Sequence, residues 1–161
     1  MKTLWTDGSA SPNPGPGGWA VLEVQDGAAR PVALGREADT TNIRMEGTAL
    51  IAAMKYAGNE GCEIHTDSEL WVNILTKWAP GWRRRDWHKS SAKKRVLDDG
   101  TVEWRGGEIA NLDLVVKLDE LYRKYPVELV WVRGHVGTEF NELADKWANK
   151  ARKGATLDIA R

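Results

Sequence analysis

The spacing of apolar residues predicts short strands in the first quarter of the chain and a helix after them. Three short apolar runs occupy residues 2–7, 18–24 and 31–35, and the turn-like QDGAAR separates the last two. Short runs joined by tight turns are typical of an antiparallel meander. Residues 40–61 then carry apolar side chains at helical spacing and end at glycine, which predicts a helix of about 14–16 residues.

The rest of the chain alternates between strand and helix patterns. CEIHTDS predicts a strand that ends at Asp67, and the following helix begins at the capping residue Ser68 and ends at Pro80. A basic segment without a clear period comes next, for which we expect a short helix followed by a loop or a small hairpin around DDGT. Beyond it the pattern predicts a helix, a strand and a helix, at residues 109–125, 127–134 and 138–153.

This order of elements predicts an α/β fold with a five-stranded mixed sheet. The first three strands would be antiparallel, and helical crossovers would bring the later strands into the sheet in parallel, with helices on its faces. A length of 161 residues suits one domain, which we place at residues 1–152, with a loose tail at 153–161.

The composition is that of a globular domain, with 42% hydrophobic and 29% charged residues. No apolar run approaches the roughly 20 residues of a membrane helix, and no signal-like segment opens the chain. The lone Cys62 cannot form an internal disulfide. We therefore expect a cytoplasmic protein without membrane contact, and a self-contained domain predicts a monomer with no obligate protein partner.

The charges are unevenly distributed, although 23 basic residues balance 23 acidic ones. Residues 77–95 hold eight basic side chains and one acid, with Trp78, Trp82 and Trp87 between them. Basic and aromatic side chains in alternation suit a nucleic-acid backbone. A solvated basic face above core tryptophans is the alternative.

Four acids stand at positions where the predicted fold could bring them together. Asp7 and Asp67 end strands, Glu46 lies early in the first helix, and Asp145 lies in the last helix. Each alone has an ordinary explanation as a turn residue, a helix N-terminal acid or a solvated side chain. Clustered at one sheet edge they would repel, and Mg²⁺ would neutralise them. Two such ions about 4 Å apart can activate a water and stabilise a leaving oxygen.

The motifs around these acids resemble those of the ribonuclease H type 1 family, of the bacterial ribonuclease HI type. They are TDGSASPNPGPGGW, TTNIRMEG, IHTDSELWV and WVRGHVGTEFNELADKWA, and the resemblance covers about residues 2–152. It implies the ribonuclease H fold and endonucleolytic hydrolysis of the RNA strand of RNA/DNA hybrids, leaving 5′-phosphate and 3′-hydroxyl ends. It also implies two Mg²⁺ ions, replaceable by Mn²⁺, on Asp7, Glu46, Asp67 and Asp145. His135 would assist proton transfer or product release.

The same resemblance implies two sets of substrate contacts. Slim polar and backbone groups would face the RNA, whose 2′-hydroxyl distinguishes it from DNA; they are Gly8, Ser9, Asn13, Asn42, Met45 and Glu69. The DNA strand would contact a phosphate pocket and the basic protrusion at about 77–95, through Thr41, Trp78, Trp82, Arg83, Arg84, Arg85, Trp87, Lys93, Lys94 and Asn111. The segment at about 96–110 is longer than we expect for the bacterial type.

Two alternatives keep the fold and change the function. A catalytically silent hybrid-binding module would not need all four acids and His135. Another nuclease of the ribonuclease H-like superfamily would not need the glycine- and proline-rich motif after Asp7 together with the basic segment.

Overall fold

The computed structural model describes residues 1–134 and 139–157, which form a five-stranded sheet, a separate two-stranded hairpin and five helices. The strands are β1 (Lys2–Ala10), β2 (Gly15–Gln25), β3 (Ala28–Thr40), β4 (Cys62–Thr66), β5 (Lys93–Val96), β6 (Val102–Arg105) and β7 (Val127–Trp131). The helices are α1 (Asn42–Ala57), α2 (Glu69–Asn73), α3 (Ala79–Arg84), α4 (Leu112–Lys124) and α5 (Glu139–Arg152). None of the described helices has both the length and the apolar character needed to cross a bilayer.

The sheet order is β3-β2-β1-β4-β7. Strands β1, β2 and β3 pair antiparallel, whereas β4 pairs parallel to β1 and β7 pairs parallel to β4. This topology confirms the predicted mixed sheet and makes β1 and β4 neighbours. The carboxyl ends of two parallel neighbours meet at one edge of a sheet, where sites gather in open α/β folds.

Successive residues of β1 face opposite layers of the molecule, as alternation along a strand requires. Leu4 packs into the core between the sheet, α1 and α4, while Trp5 packs with Leu22 and with Ala144 of α5 on the other face. Asp7 is two residues after Trp5, so its side chain lies on the same face of the sheet and faces α5. Gly8 faces α1, and a side chain there would collide with the α1 backbone at Met45.

The prediction that a helix ends at Pro80 is wrong. Helix α2 leads through a π-helical turn, Ile74–Trp78, into α3, and Pro80 lies in the first turn of α3. Proline is tolerated there because the first turn of a helix has no internal partner for its missing N–H group. The helical path thus continues into the basic segment.

The long segment after α3 forms a hairpin rather than a loop. Strands β5 and β6 pair from Lys93 opposite Arg105 to Val96 opposite Val102, and the main-chain N–H of Leu97 donates to the carbonyl of Thr101. Side chains of β5 are exposed, so the hairpin carries basic residues away from the main sheet.

We predict that Gly8→Ala lowers the free energy of unfolding by about 2 kcal/mol, because overpacking against backbone cannot be relieved by a side-chain rotation. Urea denaturation measures this. Gly81→Ala is the control, since a methyl group there would meet only guanidinium ends, the nearest being Arg85 at 3.3 Å. Equal stability of both variants would contradict the close packing of α1 on β1.

Candidate active site

Three carboxylates converge where β1, β4 and α1 meet. The register pairs Trp5 with His65, so Asp7 within β1 and Asp67 directly after β4, each two residues further along, lie side by side on the same face. The first strand, predicted to end at Asp7, continues to Ala10. Because Gly8 has no side chain, α1 approaches β1 closely and brings Glu46 to the same place. One carboxylate oxygen from each of Asp7, Glu46 and Asp67 lies within 4.8 Å of the others.

The fourth predicted acid joins this group from α5. Asp145 lies close enough to Asp7 for its carboxylate to contribute to the raised pKa of Asp7. The four acids predicted from the sequence therefore form one cluster, which we call the carboxylate cluster.

Burial and mutual repulsion hold these groups toward their protonated forms. Asp7 is 6% exposed, and burial, followed by the charge of Asp67, raises its pKa well above the usual range. Burial and the charge of Asp67 also raise the pKa of Glu46 to about 7, although a hydrogen bond from Ser68 favours its ionised form. Three negative charges within 4.8 Å of one another are unfavourable without a cation.

The loops around Asp67 orient it through its backbone. The indole N–H of Trp131 donates to the Asp67 carbonyl at 3.3 Å, and the N–H of Glu69 donates to the same oxygen at 3.1 Å. Ser68, predicted only as a helix cap, accepts a bond from the N–H of Trp71 and donates to Glu46. It thus links the start of α2 to the carboxylate cluster.

The residues predicted to face RNA lie beside this cluster. Gly8 and Ser9 follow Asp7 on β1, buried Met45 precedes Glu46, and Glu69 is exposed two residues after Asp67. The remaining two connect the β1–β2 loop to the start of α1. Asn42 Oδ1 accepts from the N–H of Ala10 at 2.6 Å, and Asn13 Oδ1 accepts from the N–H of Asn42 at 3.2 Å.

The predicted phosphate pocket is assembled around Arg44, which the sequence analysis did not single out. The N–H of Arg44 donates to Thr41 Oγ at 3.2 Å, and its guanidinium donates to Asn111 Oδ1 at 3.2 Å. The guanidinium also binds Asp113 through two hydrogen bonds of 2.8 and 3.0 Å. Its partners lie 67 and 69 residues away, so no local pattern could have revealed them.

The basic segment divides into residues held by the fold and residues facing solvent. Trp82 is only 9% exposed and belongs to the core, and Trp87 packs against the same cluster. Arg83 forms an ion pair with buried Asp119 of α4 at 3.1 Å.

The other predicted DNA contacts reach the surface to different degrees. Trp78 is 42% exposed, and with Asn111 it lines a cavity of about 160 Å³ between α2, α3 and the start of α4. Arg85 is half-buried and donates to the carbonyl of His88. Three of the predicted contacts are exposed basic side chains, and these are Arg84, Lys93 and Lys94.

Comparison with known proteins agrees with this geometry. A profile of the RNase H family matches residues 1–153. The ribonuclease H of Granulibacter bethesdensis is 40% identical over 151 residues, covering 92% of this chain and 90% of its own length. That of Acidiphilium cryptum is 39% identical over 162 residues, covering 99% and 91%.

The chain belongs to the ribonuclease H family. It is a hydrolase of that class, as predicted. LC9-RNase H1, a type 1 RNase H with the type 2 active-site motif, superposes with a TM-score of 0.73 at 27% identity, covering 98% of this chain and 74% of its own. RNase H1 of Halobacterium salinarum shares the fold, with a TM-score of 0.57 at 24% identity and coverage of 96% and 98%.

The residues present fit the metal that ribonucleases H require. Carboxylate oxygens are the ligands that hard divalent cations prefer. Asp7, Glu46 and Asp67 each offer one such oxygen, and the three oxygens lie within 4.8 Å of one another. The pKa values of Asp7 and Glu46 are raised by burial and then by the charge of Asp67, and a bound cation would offset both effects. His135 lies outside the described residues, so its predicted role stays a prediction.

We predict that, without divalent cations, the wild type loses stability as the pH rises from about 5 to 9. The raised pKa values mean that the folded state keeps protons that the unfolded chain releases near its ordinary values of 3.8 and 4.5. Stability is therefore greatest below those values and falls through about pH 7, where Glu46 ionises, and above it, where Asp7 does.

Asp7→Asn places a neutral amide where the wild type must either keep a proton or add a charge, so near pH 8.5 in EDTA its free energy of unfolding should exceed that of the wild type by about 2 kcal/mol. Thermal unfolding across this pH range measures the difference. Millimolar Mg²⁺ should stabilise the wild type more than the variant. Identical pH dependence of the two proteins would contradict the repulsion.

Proposed function

We propose that this ribonuclease H cleaves the RNA strand of RNA/DNA hybrids endonucleolytically, leaving 5′-phosphate and 3′-hydroxyl ends. Two Mg²⁺ ions, for which Mn²⁺ can substitute, would be held by the carboxylate cluster. One observation supports this most strongly, namely the convergence of Asp7, Glu46 and Asp67 within 4.8 Å in a member of the ribonuclease H family.

Within the cluster, Asp7 would be the central metal-binding acid. Glu46 and Asp67 approach it from α1 and β4, and Asp145 approaches from α5. Cations bound there would activate a water and stabilise the leaving oxygen. Strand β1 and helices α1 and α5 hold Asp7, Glu46 and Asp145, and Asp67 lies directly after β4, so these elements set the spacing of the four carboxylates.

The proposed reaction is an in-line displacement at phosphorus. The oxygen of water bonds to phosphorus while the bond from phosphorus to the 3′ oxygen breaks. The attacking water loses a proton, and the departing 3′ oxygen gains one as it becomes a hydroxyl. We assign assistance in these proton transfers, or in product release, to His135.

Recognition of RNA would rest on amide groups whose orientation the fold determines. The carbonyl oxygens of Asn13 and Asn42 already accept backbone N–H groups. Since each amide has its NH₂ group opposite that oxygen, both NH₂ groups are directed away from those bonds. The 2′-hydroxyl can accept from such donors, and deoxyribose cannot. Gly8 and Ser9 would line the same groove, together with Met45 and Glu69.

Recognition of DNA would use a phosphate pocket and the basic segment. Asn111 presents its NH₂ group because Arg44, which can only donate, holds its oxygen. Thr41 keeps its hydroxyl proton available because its oxygen serves as the acceptor for the N–H of Arg44. Salt-dependent attraction would come from the basic segment; its proposed contacts are Trp78, Trp82, Arg83, Arg84, Arg85, Trp87, Lys93 and Lys94.

We predict that Asp7→Asn lowers the rate of hybrid cleavage on the order of 10³-fold or more while hybrid binding stays measurable, because the lost charge acts on the chemical step. Asp26→Asn, in the turn between β2 and β3, is the control and should cleave like the wild type. Matched RNA/DNA, RNA/RNA and DNA/DNA duplexes should be assayed with Mg²⁺, Mn²⁺ or EDTA, and only the hybrid with a metal should be cut.

Three outcomes would contradict the proposal. Turnover at the wild-type rate by Asp7→Asn would contradict the metal assignment. Robust cleavage of double-stranded RNA would contradict the substrate. A wild type that binds hybrids but never cuts them would indicate a silent binding module.

A further inference from the structure

Two arginines from distant parts of the sequence face one cavity at the edge of the main sheet. Arg36 of β3 and Arg152, the last residue of α5, line a cavity of about 390 Å³. Gly18 of β2 pairs with Arg36, and any side chain at Gly18 would collide with the backbone of Arg152. The glycine thus lets the end of α5 lie directly on the sheet beside Arg36.

Neither guanidinium has a carboxylate partner among the described residues. Five other arginines do have one within 4.0 Å, and these are Arg30, Arg44, Arg83, Arg105 and Arg123. In the described part of the chain, the buried Nε of Arg152 has no hydrogen-bond partner. One terminal nitrogen of Arg152 reaches Asn149 Oδ1 at 3.5 Å. Two like charges at one cavity repel each other, and an anion bound there would relieve that repulsion.

The acid nearest to this cavity does not neutralise it. Glu37 lines the cavity, but it alternates with Arg36 along β3 and its side chain belongs to the opposite face of the sheet. Its carboxylate instead acts on Arg44 of α1, whose pKa it helps to raise. The cavity therefore presents two positive charges on the α5 side.

Hydrogen bonds connect this cavity to the carboxylate cluster. Asn149 donates from Nδ2 to the carbonyl of Asp145 at 3.1 Å, and its Oδ1 accepts from Ser9 Oγ at 3.4 Å as well as from Arg152. Asp145 and Arg152 are seven residues apart on one helix, which is about 10 Å along its axis. A strand cleaved at the cluster would carry another backbone phosphate within reach of the cavity.

We propose that Arg36 and Arg152 form a binding site for a phosphate of the RNA strand, to one side of the cleaved bond. The inference rests on the proposed function, since it requires a hybrid bound at the carboxylate cluster. Guanidinium groups suit this role because their paired N–H donors match the oxygens of a phosphate. The site holds the strand that is cut and leaves the chemical step to the carboxylates.

The double variant Arg36→Gln/Arg152→Gln tests the proposal in the full-length protein. We expect KM for a hybrid to rise about tenfold and the salt dependence of binding to weaken by about one to two charges, with kcat within twofold. Lys153→Gln is the control, because it removes one positive charge from an exposed position next to Arg152. Arg36→Lys/Arg152→Lys should restore the salt dependence.

Hybrids with one phosphate replaced by a neutral methylphosphonate test the site in the wild-type protein. A replacement at one RNA position beside the cleaved bond should weaken wild-type binding and leave the double glutamine variant unaffected. Sensitivity at DNA positions alone, or equal sensitivity of wild type and variant, would overturn the proposal. So would an unchanged KM and salt dependence in a variant that still cleaves hybrids, whereas a wild type unable to cleave any hybrid would refute the proposed function instead.

Discussion

Repulsion among carboxylates that the fold forces together is the constraint on which this site depends. The parallel pairing of β1 with β4 places Asp7 beside Asp67, and the missing side chain of Gly8 lets α1 bring Glu46 against them. None of these positions can relax without opening the core beneath. The apolar packing of the sheet therefore maintains an arrangement of charges that is unfavourable until a cation binds.

This constraint also explains the distribution of polar contacts around the cluster. Ser68 donates to Glu46, and Trp131 holds the backbone of Asp67 rather than its carboxylate. Such contacts orient the acids without neutralising them. Basic side chains lie further out, where Arg36 of β3 and Arg152 at the end of α5 line one cavity. The acids proposed to bind metal thus lie apart from the arginines proposed to bind phosphate.

Much of the fold could be predicted from the sequence because its signals are local. Asp7 and Asp67 end apolar runs, and α1, α4 and α5 follow amphipathic spacing, so the mixed sheet and the candidate acids could be predicted. The adjacency of β1 and β4, on which the convergence of the acids depends, is given by the structure. The helical path through Pro80 could not be predicted from the sequence. Proline disrupts the interior of a helix but is tolerated in its first turn. Only the turn Ile74–Trp78, which has no distinctive sequence pattern, decides between these cases.

The parts of the site that escaped prediction depend on long-range partners. Arg83 is part of a basic run in the sequence, yet buried Asp119 engages it in the structure. Arg44 lies inside a recognised motif, but its contact with Asn111 requires α1 and α4 to be packed together. Arg152 gave no signal at all, because Gly18, far along the chain, permits its position. Composition shows which charges exist, and packing decides which remain available.

Proton release on Mg²⁺ binding is the most direct measure of whether the fold holds these acids in a repelling cluster that a cation relieves. Calorimetric titration near pH 7 in two buffers of different ionisation enthalpy gives the number of protons released. Because the pKa of Glu46 is raised to about 7 and that of Asp7 is raised further, Mg²⁺ should bind with net proton release, and Glu46→Gln should release fewer protons. Mg²⁺ binding without proton release, or equal release by the wild type and Glu46→Gln, would contradict this description.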